Sequence, residues 1–213
     1  MTKTATKPRR PRAKRGEGDR LRDEILEATE RLLIVTGSED AVSIRAVAEA
    51  TGVSPPAIYR HFADKATLLF EVCDASFERM DRFIVESAKH LDDPLAILTR
   101  RAEAYVRFAI DNPEHYRIMF MGRSELTPEQ YADEMLVGSN AFAHLVECVQ
   151  GCIDADIFRS DLRNAYELSL ALWAAIHGVA SLCIAKPNMP GPPAHDRLAL
   201  VLELAFHGML REH

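Results

Sequence analysis

The chain has 213 residues, 47% of them hydrophobic, 27% charged and 7% aromatic, and a formal net charge of −6. That length admits one large domain or a small one joined to a medium one, and the apolar share supports a core without a disulfide or metal staple. No uninterrupted apolar run approaches the roughly 20 residues of a membrane span, and no apolar stretch follows the basic start, so neither a span nor a secretory leader is expected.

Charge is distributed unevenly. Residues 1–22 hold nine Lys or Arg against two acids, whereas from residue 71 onward 13 basic residues face 22 acidic ones. A basic arm on an acidic body suits a polyanionic partner, and on charge alone a solubilising tail fits equally. The four cysteines, Cys73, Cys148, Cys152 and Cys183, fall in apolar helical stretches, as expected of reduced thiols in a cytoplasmic protein.

Residues 1–18 read as a flexible arm rich in Pro, Lys and Arg, with too little apolar content to fold alone. A first helix is predicted over 19–36, with Leu21, Ile25, Ala28, Leu32 and Leu33 on one face and Gly37 as its stop. The next stretch, residues 43–62, reads SIRAVAEATGVSPPAIYRHF. Ser43 caps a helix over 44–51, Gly52 supplies a tight turn, and a short helix runs from Pro55 to about His61. Ala48 is small enough for the two helices to cross closely, with Ile44, Val47, Val53 and Ile58 facing inward. Such a unit presents its second helix to the DNA major groove. Arg45, Tyr59, Arg60, His61 and Lys65 lie within or beside it, in reach of phosphate oxygens.

A fourth helix is predicted after Asp64. The fifth and sixth open with a capping side chain followed by proline, Asp93-Pro94 and Asn112-Pro113. The seventh opens at Thr127-Pro128-Glu129-Gln130, a capping box. The eighth covers 161–186, the proline-rich stretch 187–193 forms a loop, and the ninth covers 195–210. The expected fold is all-α, with about nine helices.

Residues 22–69, RDEILEATERLLIVTGSEDAVSIRAVAEATGVSPPAIYRHFADKATLL, resemble the DNA-binding domain of TetR-type regulators. The matching features are R-x-x-I-L-x-A, Gly37, S-I-R-x-V-A, T-G-V-S, A-I-Y-x-H-F and D-K-x-x-L-L. Trp173, His177 and Gly178 resemble a subgroup carrying Trp-x-x-x-His-Gly. The resemblance implies an arm over 1–18, a helix-turn-helix domain over 19–64 and a ligand-binding and dimerisation domain over 65–213. It implies phosphate contacts from Ser43, Tyr59, His61 and Lys65, and base-edge contacts from Arg45, Ser54, Pro55, Pro56 and Ala57. Many relatives have a polar or basic residue where this chain has Pro55-Pro56. Ser54 is then expected to cap only the Ala57 N–H, and the reading helix to touch thymine methyls, with Arg45 and the arm making the polar contacts. Arg12, Lys14 and Arg15 are placed to follow a minor groove.

A regulator of this build needs an effector site. Phe77, Met80, Phe83, Tyr105, Phe108, Tyr116, Met119, Phe120, Phe142, Leu145, Trp173 and His177 are the candidates. Most such side chains are core, and as a set they suggest an apolar or aromatic ligand held by few polar anchors, drawn from His144, His177, Tyr105 and Arg107. A metal at His144, Cys148 and Cys152 is not expected, because eight helical residues rise about 12 Å and separate the outer two; no cofactor is expected. Helices eight and nine are the expected homodimer interface, through Leu168, Leu172, Ala175, Val179 and Leu182 on one and Leu198, Val201, Leu202, Ala205 and Met209 on the other. The expected protein is a repressor released from a palindromic operator by a small effector. The alternatives are an activator, a ligand-independent DNA-binding protein, and an enzyme, for which no nucleophile–base set is visible.

Overall fold

The computed structural model describes residues 18–121 and 140–210. Among these residues the fold is all-α, with helices α1 (Gly18–Thr36), α2 (Ile44–Thr51), α3 (Pro55–Ile58), α4 (Lys65–Ser87), α5 (Pro94–Asp111), α6 (Pro113–Met121), α7 (Asn140–Asp154), α8 (Ala165–Ala185) and α9 (Ala194–Met209). One isolated antiparallel bridge joins Phe158 to Leu210, where the Arg159 N–H donates to the Met209 carbonyl at 2.8 Å. The helix start expected at residue 127 lies outside the described residues, as do Arg12, Lys14 and Arg15.

Local chemistry explains the boundaries. Ser43 accepts the Ala46 N–H at 3.2 Å and starts α2, and Asp64 accepts the Thr67 N–H at 2.7 Å and starts α4. Asp93 accepts the Ala96 N–H at 2.7 Å, with Pro94 at the first turn of α5. Three expectations need correction. The Asn112 side chain does not cap α6; its amide donates to the Phe108 carbonyl at 3.0 Å and closes α5 instead. Ser54 makes no side-chain cap, because its own carbonyl takes the Ala57 N–H at 2.8 Å. The eighth helix starts at Ala165 rather than near 161: the Asp161 carboxylate pairs with Arg159 at 3.2 Å, and Asn164 caps the helix by accepting the Glu167 N–H at 3.2 Å.

The chain divides into two compact units, Met1–Ala75 with Arg117–Arg123, and Ser76–Tyr116 with Ser124–His213. In the first, α1 packs on α2 and α2 on α3. Leu21, Ile25, Leu33, Val42, Val47, Ala48, Ile58, Phe62, Leu68 and Val72 form its buried core, and Ile44, Val53 and Ile118 pack against it. Emptying such a site, as in Ile58→Ala, costs about 2–5 kcal/mol. Arg22 pairs with Glu71 and lies 5.4 Å over the Phe62 ring, tying α1 to α4.

In the second unit α8 is central and packs on α5, α7 and α9. It runs through His177 and Gly178 as one helix, as expected, but the expectation that no apolar stretch here reaches the length of a membrane span does not hold. Its 21 residues are long and apolar enough, by length and composition, to cross a membrane. A helix apolar on every side needs cover on every side. In this unit only 33% of its most apolar window is buried. Leu172, Val179, Leu198, Leu202 and Met209, expected to meet a second copy, are buried within the chain itself. The open apolar face keeps Leu182 of the expected set and otherwise consists of Ala171, Ala174 and Ala185 on α8, at helical spacing, with Leu200 and Leu204 on α9.

Candidate functional site

The first unit carries a helix-turn-helix. Gly52 ends α2 at φ 71°, a left-handed conformation that costs a side-chain-bearing residue about 1–2 kcal/mol. Its N–H donates to the Ala48 and Glu49 carbonyls, and the Val53 N–H to Ala48 at 3.0 Å, so the chain reverses within three residues. The buried pair Val47 and Ile58 then locks α3 across α2.

What this leaves outside is specific. Ser43, Arg45, Ser54, Pro55, Pro56, Tyr59 and Arg60 are exposed, and His61 is half-buried beside Phe62 with ring centroids 6.4 Å apart. Ala57 differs: at 6% exposure it belongs to the interior and offers little to a base edge. Lys65 is half-buried and donates from Nζ to the Glu39 carbonyl at 2.6 Å, which leaves its other two protons for a phosphate. Hydrogen bonds from the Thr67 backbone and hydroxyl hold the Asp64 carboxyl below its ordinary value, so the negative charge stays on the cap at the start of α4.

The second unit gathers several of the predicted effector residues into one polar cluster within an aromatic surround. The phenol oxygens of Tyr105 and Tyr116 both stand 2.8 Å from His177 Nδ1. Tyr116 also bonds Ser181 at 3.0 Å, and Trp173 Nε1 donates to the Tyr105 oxygen at 3.4 Å. Phe142 lies edge-on to Trp173 at 6.0 Å and to Tyr166 at 5.6 Å. Burial raises both phenols above their ordinary value and lowers His177, so the cluster stands neutral at pH 7 with phenols protonated and imidazole unprotonated. Ser181 escaped the sequence reading, although its signal was present: Trp173, His177 and Ser181 are spaced by four and share a helix face.

Other candidates go elsewhere. Phe83 and Phe108 pair at 5.7 Å with Arg107 5.5 Å over the Phe83 ring, so the Arg107 guanidinium is outward rather than an inner anchor. His144 is bound to Asp81 at 2.8 Å. Met80 is buried, and Phe77 and Leu145 are half-buried in the same unit; Met119 and Phe120 belong to the part of α6 assigned to the first unit. Arg101 donates to Cys148 Sγ at 3.1 Å, yet burial outweighs it and raises that thiol. Among the described residues no group of three metal-ligating side chains stands together. An open depression of about 390 Å³ lined by Leu91, Asp93, Leu95, Ala96, Thr99, Arg100 and Glu103 shares no residue with the aromatic cluster and is too open to enclose a ligand.

Residues 25–72 match the family model described as bacterial regulatory proteins, tetR family, and residues 98–208 match the tetracyclin repressor-like, C-terminal domain. The chain belongs to the TetR family. Its members are DNA-binding transcription regulators rather than enzymes. The chain is 28% identical to the HTH-type transcriptional regulator AcrR of Shigella flexneri over 200 residues, 88% of this chain and 90% of that one. Among solved structures it resembles a protein of unknown function from Rhodococcus sp. RHA1, with a TM-score of 0.74, 23% identity and coverage of 90% and 96% of the two chains. It also resembles a transcriptional regulator from Saccharomonospora viridis in complex with choline, with a TM-score of 0.70, 20% identity and coverage of 91% and 100%. At these identities the solved structures establish the TetR fold. Neither family match singles out the Trp173-x-x-x-His177-Gly178 subgroup.

Proposed function

We propose that this TetR-family regulator is a cytoplasmic homodimeric repressor, released from a palindromic operator by a small, largely apolar or aromatic effector. The observation that carries the effector reading is the Tyr105–Tyr116–His177–Ser181–Trp173 cluster. A hydrogen-bonded polar set inside an aromatic surround is how a protein orients a small organic molecule. The Saccharomonospora structure, a complex with choline, supports a small-molecule role for this fold. Residues 19–64 would do the reading, through Arg45, Ser54, Pro55 and Pro56 at base edges and Ser43, Tyr59, Arg60, His61 and Lys65 at phosphates. The arm residues Arg12, Lys14 and Arg15 would add charge along the minor groove, and residues 65–213 would hold the effector and the second copy.

The open apolar residues of α8 and α9 support the dimer, because Leu182, Leu200 and Leu204 are half to two-thirds exposed on helices whose other leucines pack within the chain. Two-fold pairing fits a palindrome with half-sites about one helical turn apart or more. Effector binding would shift the dimer toward a spacing of the two reading helices that no longer matches the operator.

The test is release. Operator-bound protein is titrated with small aromatic compounds while Trp173, the single tryptophan of the sequence, reports entry by fluorescence. Quenching and operator release over the same concentration range are expected. Operator retained against every compound that quenches Trp173 would mean a DNA-binding protein not governed by this site.

A further inference from the structure

We infer that the reading helix recognises the C5-methyl group of a pyrimidine and no other feature of the base edge, so that thymine and 5-methylcytosine are equivalent to it. This rests on the operator-binding reading above and adds the chemistry by which the operator is read.

The argument begins with what Ser54–Pro55–Pro56–Ala57 lacks. Pro55 and Pro56 are both exposed, and each offers a rigid apolar ring with no side-chain polar atom and no backbone N–H. The first turn of α3 therefore has no backbone donor at those two positions. Ala57, which follows, is buried. Ser54 is exposed, and its hydroxyl is not used as a cap, because the Ala57 N–H goes to the Ser54 carbonyl. That hydroxyl is the one polar side-chain group of the segment, and a serine hydroxyl both donates and accepts. It meets the O4 acceptor of thymine and the N4 donor of cytosine equally well.

In the major groove, thymine and cytosine differ in that exocyclic group and in the methyl on C5. A segment of two apolar rings and one ambivalent hydroxyl cannot separate the exocyclic groups. The methyl is what remains, and an apolar ring packed on it removes both from water. One buried methyl corresponds to about fourfold in affinity, and the symmetric pair in a dimer to roughly fifteenfold. Arg45, exposed at the second position of α2, supplies hydrogen-bonding readout at other positions. The regulator thus gains sensitivity to cytosine methylation: a site holding C·G at the contacted step binds more tightly once that cytosine carries a 5-methyl group.

The experiment uses the full chain and the operator recovered from genomic DNA, in synthetic duplexes that change one base pair per half-site. Replacing thymine by uracil removes the methyl and leaves the pairing and the O4 acceptor unchanged. The expected result is a loss of about fourfold at one or two thymines, and roughly fifteenfold when both half-sites are changed. At the same positions 5-methylcytosine·guanine should bind within about twofold of thymine·adenine, and unmethylated cytosine·guanine should show the loss. The double variant Pro55→Ser with Pro56→Ser should lose the thymine-over-uracil preference, but the duplex series needs no protein variant to fold. Uracil tolerated at every thymine, or no gain on methylating cytosine, overturns the inference while operator binding stands. A full chain that binds no sequence specifically overturns both.

Discussion

Replacing Leu204 by Glu should split the dimer. Leu204 is 66% exposed on the open face of α9, beside Leu200 at 55%, with Leu182 of α8 at 50%. Burying a leucine completely is worth about 1.5–3 kcal/mol, so covering the exposed two-thirds of Leu204 is worth about 1–2 kcal/mol per copy. A two-fold interface counts each residue twice, giving about 2–4 kcal/mol. The dimer dissociation constant should therefore rise about thirtyfold to a thousandfold, more if the carboxylate is desolvated. Sedimentation velocity across a concentration series reads this directly. Because Leu204 is exposed in the protomer, the helical content and unfolding midpoint of the monomer should stay unchanged. The variant should keep half-site affinity while losing the palindrome's advantage. A dimer constant within twofold of the parent would place the interface elsewhere and refute the reasoning from the open face.

Three further outcomes follow from the local chemistry. Gly52→Ala forces a side chain onto a φ of 71° with no steric contact nearby, so it should cost about 1–2 kcal/mol in denaturant unfolding and nothing by clash; a neutral result would mean the turn relaxes. Burial lowers His177 below 6.5, so the unfolded chain takes up a proton there that the folded chain refuses. The stability tied to it is complete above about pH 6.5 and is lost as pH falls through the lower folded value. His177→Asn should flatten the stability difference between pH 7.5 and 5.5, and an unchanged slope contradicts the assignment. Burial, then Cys148 and Asp93, pushes the Cys152 thiol up to about 12, and burial also raises Cys148. A thiol reagent at pH 8 should therefore modify Cys73 and Cys183 well before either, and equal rates would show that α7 opens readily.

Much of the first unit was legible because each signal there is local. Ser43, Gly52 and Asp64 act within three or four residues, and within α1 the inward residues Leu21, Ile25 and Leu33 recur at helical spacing. The misreadings arose where a side chain had two available partners. Asn112 could reach forward to α6 or back to Phe108, and Asp161 could cap a helix or pair with Arg159; spacing alone does not choose between them. Ser54 lost its cap because its own backbone competed for the same N–H.

The cluster in the second unit was legible in part. Tyr105, Tyr116, Trp173 and His177 stand out in sequence as large or polar side chains, but their meeting depends on three helices crossing, which no local pattern encodes. The same limit applies to α8. An apolar helix shows no preferred face in sequence, so the residues covered by α5, α7 and α9 were indistinguishable from those left open. For His144 the partner Asp81 stands 63 positions away, too far in sequence for spacing to signal it.

The most direct measurement of the central claim is binding to a pool of genomic DNA fragments at two salt concentrations, followed by sequencing of what is retained. The account predicts one shared palindromic site, held at both concentrations, with affinity falling steeply as salt rises because Lys and Arg displace counterions from the phosphates. Fragments retained at low salt without any shared site, or none retained at either concentration, would contradict it.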